Sequence, residues 1–453
     1  MKTINNEMKK IFFIILSLYC SIAAMAQRNY TLQQILDSAK QNNIALRTAD
    51  YDIEAARQQR REAFTKFFPN ISATGLWFNA NKGMAQTTIN PASMISGEMG
   101  QMIASMLPPE ALAAIANPIS ISMMKNGTIA SVMAVQPVFT GGQIVFGNKL
   151  AKLGEEVSVL QKRISENDVE RTAEQYFWQM ASLQEKEKTL AAVETLLNDI
   201  HKDVNAAFQA GVAMKNDLLQ VQLRRNDIAS QKLKLQNGIS ILRMLISQYC
   251  GLSDSAFCVS YDTTVDIPLR HKRDHGNALF STTEYHLLEK QVEAARLQQK
   301  ITLGQNLPTV AVGAGYNYHN LLDKNHNFGL IFATVSLPIS QWWGGSHAMK
   351  RSRIASQKAE DQLADNSQLL KIRMQRAWND VEEAYQQLQL AQQSIEQAEE
   401  NLRLNRNYYE AGISKMSDLL EAQLLYQQAC DKRTDAFATY HTNLLEYRHA
   451  TGD

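Results

Sequence analysis

The sequence predicts a mixed α+β membrane protein built on an internal duplication. Three observations carry this. Residues 208–223, FQAGVAMKNDLLQVQL, recur at 409–424 as YEAGISKMSDLLEAQL, with seven of sixteen positions identical at an offset of 201. The same offset pairs Pro137 with Pro338 and Gly251 with Gly452, so one structural unit is used twice. Residues 309–319, TVAVGAGYNYH, alternate apolar or aromatic side chains with small or polar ones, as membrane-spanning β-strands do. Finally, residues 142–208 and 345–409 form two proline-free runs rich in Ala, Gln, Glu, Lys and Leu, as very long helices require.

Taken in chain order, residues 1–26 read as a signal peptide. Lys9-Lys10 precede the apolar run Ile11 to Ala24, and Ala24-Met25-Ala26 predicts cleavage before Gln27. The run is short for a membrane anchor, and Tyr19 before Cys20 argues against a lipoprotein. Removing the segment takes Lys2, Lys9, Lys10 and Glu7 and leaves 43 basic and 44 acidic residues, which gives no electrostatic case for nucleic acid. No later stretch reaches the length of a transmembrane helix, so an exported chain is either soluble or crosses a membrane as a β-barrel. Cys250 and Cys258 are close enough in sequence for a local disulfide, with two free buried thiols as the other reading.

The first repeat is expected over 27–265. Thr31 and Gln34 form a capping box that opens a helix to about Lys66, which Pro69 stops. Strands follow over about 70–80 and 128–136, a β-hairpin spanning about 70–137. A long helix over 142–208 comes next, about 100 Å if continuous. Ala210-Gly211 breaks it, and a second helix runs over 215–250. A short connector with one small strand leads to the second repeat, expected over 266–453. This holds a helix over 281–305, a hairpin over about 309–338, and helices over 345–409 and 417–448, broken at Ala411-Gly412.

Each repeat thus supplies one β-hairpin and one helical hairpin. In the strand 309–319, Val310, Val312, Ala314, Tyr316 and Tyr318 share the apolar face. Taken alone, this strand also suits a soluble sandwich. Four strands cannot close a barrel that excludes lipid, so a barrel has to draw on several chains, and three chains supply twelve strands. The repeats differ most in the outer loop. Pro69 to Pro137 spans 68 positions against 30 for Pro308 to Pro338, and the excess lies in a Met-rich stretch over 80–127. Its thioethers can bind soft metals but lack a tight cluster with His or Cys, and packing against apolar surface is the plainer reading. No metal or cofactor site is expected. The nine histidines are scattered, and no phosphate loop or nucleophile motif appears. Trp342-Trp343 suit a membrane interface.

The order is helix, proline, strand, strand, Pro-Val or Pro-Ile, Gly-Gly, long helix, Ala-Gly, Asp-Leu-Leu, helix, and it occurs twice. With Pro137-Val138-Phe139-Thr140-Gly141-Gly142 and the opening Tyr30-Thr31-Leu32-Gln33-Gln34-Ile35-Leu36, it resembles the TolC-type outer-membrane efflux family. The second repeat departs from the compact form, with Ser340 to Trp343 before Gly344-Gly345.

The resemblance implies a homotrimer. Its twelve-stranded outer-membrane β-barrel, four strands per chain, continues as an α-helical coiled-coil tunnel into the periplasm. Such a protein is a passive duct, not an enzyme. It docks to a periplasmic adaptor (membrane-fusion) protein and an inner-membrane efflux pump, or serves type I secretion. The resemblance also implies that Asp418 and Glu421 ring the periplasmic aperture and that Tyr409 is the gating tyrosine. The family's partnering arginine falls at Ser414, beside Lys415. Gly211, Val212, Asp217, Gly412 and Ile413 mark the helix-turn tips where an adaptor docks. Helix capping is the plainer reading for Gly211, Gly412, Asp217 and Asp418. The other function to weigh is a non-channel periplasmic coiled-coil adaptor or envelope scaffold, for which the barrel-type strands have no use.

Overall fold

The computed structural model describes residues 28–90, 119–253, 256–262, 271–321, 324–339 and 341–452, with isolated positions between 102 and 110. The expected signal peptide and much of the Met-rich loop lie outside the described residues. In chain order the elements are β1 (Arg28–Tyr30), α1 (Leu32–Asn42), α2 (Ile44–Thr65), β2 (Asn70–Asn79), β3 (Ala85–Ile89), β4 (Ile119–Met123), β5 (Asn126–Phe139), α3 (Gln143–Gln209), α4 (Lys215–Cys250), β6 (Phe257–Val259), α5 (His275–Ala278), α6 (Thr283–Gly304), β7 (Thr309–Asn320), β8 (Asn325–Ser336), α7 (Gln341–Glu410) and α8 (Met416–Ala450). None of the described helices is long and apolar enough to cross a membrane. Two compact units form, and each takes segments from both sequence repeats.

The strand unit comprises residues 57–154 and 293–357. Its main sheet is antiparallel, in the order β2-β5-β7-β8. Side chains alternate across a strand, so the register decides which residues share a face. Ala134 pairs with Ile71 and Ala314, and Ala314 pairs with Ile331. One face therefore carries Ile71, Trp77, Val132, Val312, Tyr316, Ile331 and Val335, all exposed, with Trp77 at 71% and Ile331 at 87%. The opposite face mixes Ser72, Thr74, Ser131 and Asn317 with Phe328, Leu330 and Phe332. Gly313 is buried there because the Phe332 ring lies where its Cβ would be.

Three details of this unit differ from the sequence reading. The strand expected over 128–136 runs through Pro137 to Phe139, and the ladder to β7 shifts register at that proline, which has no N–H to donate. The Met-rich loop contains a further hairpin, β3 with β4. In the second repeat the long helix begins at Gln341, so Gly344 and Gly345 lie inside its first turns. Trp342 is half exposed and its Nε1 donates to the Asn306 carbonyl at 3.1 Å.

The helical unit comprises residues up to 56, 155–292 and 358 onward. The capping box is present, with Thr31 N donating to Gln34 Oε1 and Gln34 N to Thr31 Oγ1. The expected single helix to Lys66 is broken at Asn43, whose Oδ1 accepts from Ala45 N at 2.8 Å and restarts it as α2. The connector strand β6 pairs in parallel with β1. Phe257 and Val259 are buried with Ile35, Phe177, Ile246 and Cys250. Cys250, Cys258 and Cys430 are free thiols, and burial pushes Cys250 up to about 11.

The long helices pack through narrow seams. In α3 the buried residues Leu190, Val193, Leu197, Ile200 and Val204 follow spacings of three and four. In α7 the buried positions Met374, Ala377, Val381, Ala384, Leu388 and Ala391 do the same. This is the heptad seam of a coiled coil, and each fully buried Leu or Ile in it contributes about 1.5–3 kcal/mol.

Candidate functional site

Both helical hairpins turn by the same device. Gly211 and Gly412 have φ of +77° and +73°, the left-handed region that glycine enters at least cost. At the first tip Val212 N donates to the Ala207 carbonyl at 2.9 Å and Gly211 N to the Phe208 carbonyl at 3.0 Å. At the second, Ile413 N donates to Tyr408 at 2.8 Å and Gly412 N to Tyr409 at 3.0 Å. These paired bonds form a Schellman motif, which satisfies the last carbonyls of a helix. The turn leaves Val212 83% and Ile413 75% exposed.

The next helix starts with an aspartate at its third position. Asp217 Oδ2 accepts from Met214 N at 3.3 Å, and Asp418 Oδ2 from Lys415 N at 3.2 Å. Asp418 Oδ1 also accepts from Ser417 Oγ at 3.1 Å. Both aspartates therefore cap orphan amide groups and complement the helix dipole. Glu421 is exposed one turn after Asp418 on the same side of α8.

Tyr409, next to last in α7, is half-buried against the apolar cluster that includes Leu197, Val204, Val221, Met416 and Leu419. Burial first, and Asp217's charge second, push its hydroxyl above its ordinary value. The expected gating tyrosine of the second hairpin is thus brought to the capping acid of the first. Ser414, where the resemblance leads one to expect an arginine, has an enclosed Oγ with no hydrogen-bond partner.

Behind the tips lies a polar cluster that the sequence reading missed. Arg224 of α4 donates through Nε to Gln423 Oε1 at 3.0 Å and through Nη2 to Gln427 Oε1 at 2.9 Å, both on α8. Its Nη1 pairs with Asp227 at 2.6 Å, and Gln427 Nε2 donates to Gln231 at 2.9 Å. Gln423 is fully buried and Gln427 nearly so. The signal was available: counting sevens from Met416 lands on Gln423, Cys430 and Phe437, so polar residues occupy seam positions. Among the described residues no group of three His, Cys, Asp or Glu side chains is placed to hold a metal ion.

The described chain combines a four-stranded antiparallel sheet, apolar and exposed on one face, with two long helical hairpins. Residues 287–453 match the outer membrane efflux protein family. Among curated proteins, no relative of the sequence was found. The solved structures it is similar to include the outer membrane protein VceC from Vibrio cholerae, at 16% identity over 93% of this chain and 96% of that one, TM-score 0.71. The Campylobacter jejuni CmeC outer membrane channel is similar at 14% identity, covering 93% and 85%, TM-score 0.72. The open state of the Neisseria gonorrhoeae MtrE outer membrane channel is similar at 15%, covering 93% and 88%, TM-score 0.69. Residues 287–453 thus match the outer membrane efflux protein family, and the chain shares the fold of these outer-membrane channels over 93% of its length.

Proposed function

We propose that the chain is one protomer of a trimeric outer-membrane exit duct, serving tripartite efflux or type I secretion. The observation that carries this is the β2-β5-β7-β8 sheet. It has one continuous exposed apolar face, and β2 and β8 are its outer strands. Lipid tolerates the apolar face but not an open strand edge, so the sheet closes only with other chains. Three copies supply twelve strands, an even number in the range of known barrels. Trp77, Trp342 and Trp343 suit the headgroup levels that aromatic side chains occupy in such barrels. The helical hairpins then extend into the periplasm. The exposed Val212 and Ile413 at their tips suit an adaptor (membrane-fusion) protein, which links the duct to an inner-membrane pump.

In this reading the duct is passive and takes its energy from the pump. Asp418 and Glu421 of three chains gather at the aperture, where like charges attract cations, and Tyr409, packed on the apolar cluster between the hairpins near Asp217, holds the tips closed. Membrane fractionation with chemical crosslinking tests the assembly, and a soluble monomer would overturn it. Single-channel recording in planar bilayers tests the gate. The Asp418→Ala, Glu421→Ala double variant should lose cation preference and conduct more, and unchanged traces would remove these acids from the gate.

A further inference from the structure

We propose that His319 and His326 form a two-histidine chelate for a divalent transition-metal ion on the β7–β8 hairpin. The two residues are direct cross-strand partners, so both side chains leave the sheet on the same face. That face is opposite the apolar one. Their ring centroids are 5.2 Å apart, with the planes inclined by 41°. A tetrahedral ion with bonds of about 2.0–2.1 Å to two imidazole nitrogens places the ring centroids about 5 Å apart. The strands therefore already hold the rings at chelating distance. A half-turn of either ring about Cβ–Cγ leaves its centroid in place and exchanges the nitrogen it presents.

Two further observations favour a ligand over simple ring packing. His319 Nδ1 is enclosed and makes no hydrogen bond within the chain. Enclosed polar atoms almost always have a partner, and an ion between the rings supplies one. The backbone is also held on each side of the pair. Tyr318 Oη and Asn320 Nδ2 both donate to Asn325 Oδ1, at 3.0 and 3.1 Å, which fixes the register one residue from each histidine. Phe328, with its ring centroid 6.3 and 6.1 Å from the two histidines, forms an apolar wall beside them. Imidazole suits Cu²⁺, Ni²⁺ and Zn²⁺, and the usual order of affinities places Cu²⁺ first. Water completes the coordination.

The inference rests on the pairing of β7 with β8 and not on the channel reading. It is tested on the full chain, purified without a histidine tag in detergent and titrated with Cu²⁺ and Zn²⁺ by calorimetry. One ion per chain is expected. His319→Ala and His326→Ala should each weaken Cu²⁺ binding about tenfold or more, while His347→Ala, in the same unit, leaves it unchanged. Electron paramagnetic resonance of the Cu²⁺ form should show two imidazole nitrogens, reduced to one in either variant. If His319→Ala disturbs folding, His326→Asn on the exposed β8 carries the test. Failure of the wild type to bind Cu²⁺, or binding that neither histidine variant weakens, overturns the proposal.

Discussion

At the first tip Gly211 sits at +77° and Asp217 caps Met214. At the second, Gly412 sits at +73° and Asp418 caps Lys415. The backbone solution is the same, yet the side chains around it are not. Phe208 becomes Tyr409, Ala213 becomes Ser414, Gln220 becomes Glu421, and Arg224 corresponds to Leu425. The two tips share what the turn needs and differ in the surfaces around it. A residue that appears in both copies is therefore explained first by the turn. A residue in one copy alone calls for a separate explanation.

The largest divergence is Arg224. Its guanidinium is the donor for two buried glutamines, and its side chain is only 14% exposed. Arg224→Met should destabilise the helical unit by about 2–4 kcal/mol, because buried acceptors lose charge-assisted bonds. The equivalent Leu425→Met lies on an exposed position and should change stability by under about 0.5 kcal/mol. Adding Gln423→Leu and Gln427→Leu to Arg224→Met should recover much of the loss, since an apolar seam has no orphan groups. Thermal unfolding measured by circular dichroism checks all three. Equal effects at 224 and 425 would break the comparison.

The helix shafts diverge as well. His441 of α8 stacks on Trp178 at 3.9 Å, and burial lowers its pKa to about 4. The matching residue in α4 is Ser240. A histidine whose folded pKa lies below its unfolded value of about 6.5 binds protons more readily when unfolded. Its stabilising effect is therefore complete above pH 6.5 and is lost as pH falls towards 4. Partial solvent access reduces the full linkage, so a loss of about 2 kcal/mol across that window is expected. His441→Phe should flatten the dependence there, while Ser240→Ala should leave it as it is. Melting temperatures from pH 7 to 4 decide this.

The glycines should behave alike. Nothing lies within 4 Å of a Cβ built at Gly211 or Gly412, so strain in the left-handed backbone is the main cost of a substitution. Gly211→Ala and Gly412→Ala should each cost about 1 kcal/mol, seen as equal shifts in thermal unfolding. A larger loss at Gly412 would mean that the second tip makes contacts its backbone does not reveal.

Much of this architecture was legible in the sequence, for physical reasons. Period-two alternation marked β7, and proline-free polar runs marked α3 and α7. Glycine after alanine marked both turns, since few residues tolerate positive φ. What was not legible depends on long-range register. The β3–β4 pairing joins strands of only five residues about 30 positions apart, and although Ile119 to Met123 alternate, Ala85 to Ile89 do not, so nothing local announces the partner. The break at Asn43 turns on one side chain choosing a backbone amide. The Arg224 cluster joins residues about 200 positions apart, and only the packing of α4 on α8 brings them together. For the tips, the resemblance pointed to Asp418 and Tyr409 and the first-turn position of Asp418 already suited a cap, but only the fold brings Tyr409 near the first hairpin's acid.

The smallest expected effect is also the sharpest. Asp217→Asn and Asp418→Asn remove the same capping charge and keep an amide oxygen as acceptor, so each should cost about 0.5 kcal/mol in helix stability. Their effects on the proposed pore should differ. Asp418 stands one turn before Glu421, whereas Asp217 stands before the neutral Gln220, so Asp418→Asn should lower cation preference and Asp217→Asn should not. Asp217 instead lies near enough to the half-buried Tyr409 for its charge to be felt there, and in the proposed duct Asp217→Asn should raise open probability. Reversal-potential and open-probability measurements on the two variants separate selectivity from gating. If both variants change both readouts equally, the two tips act as one ring, and the divergence between the repeats is decorative at this level.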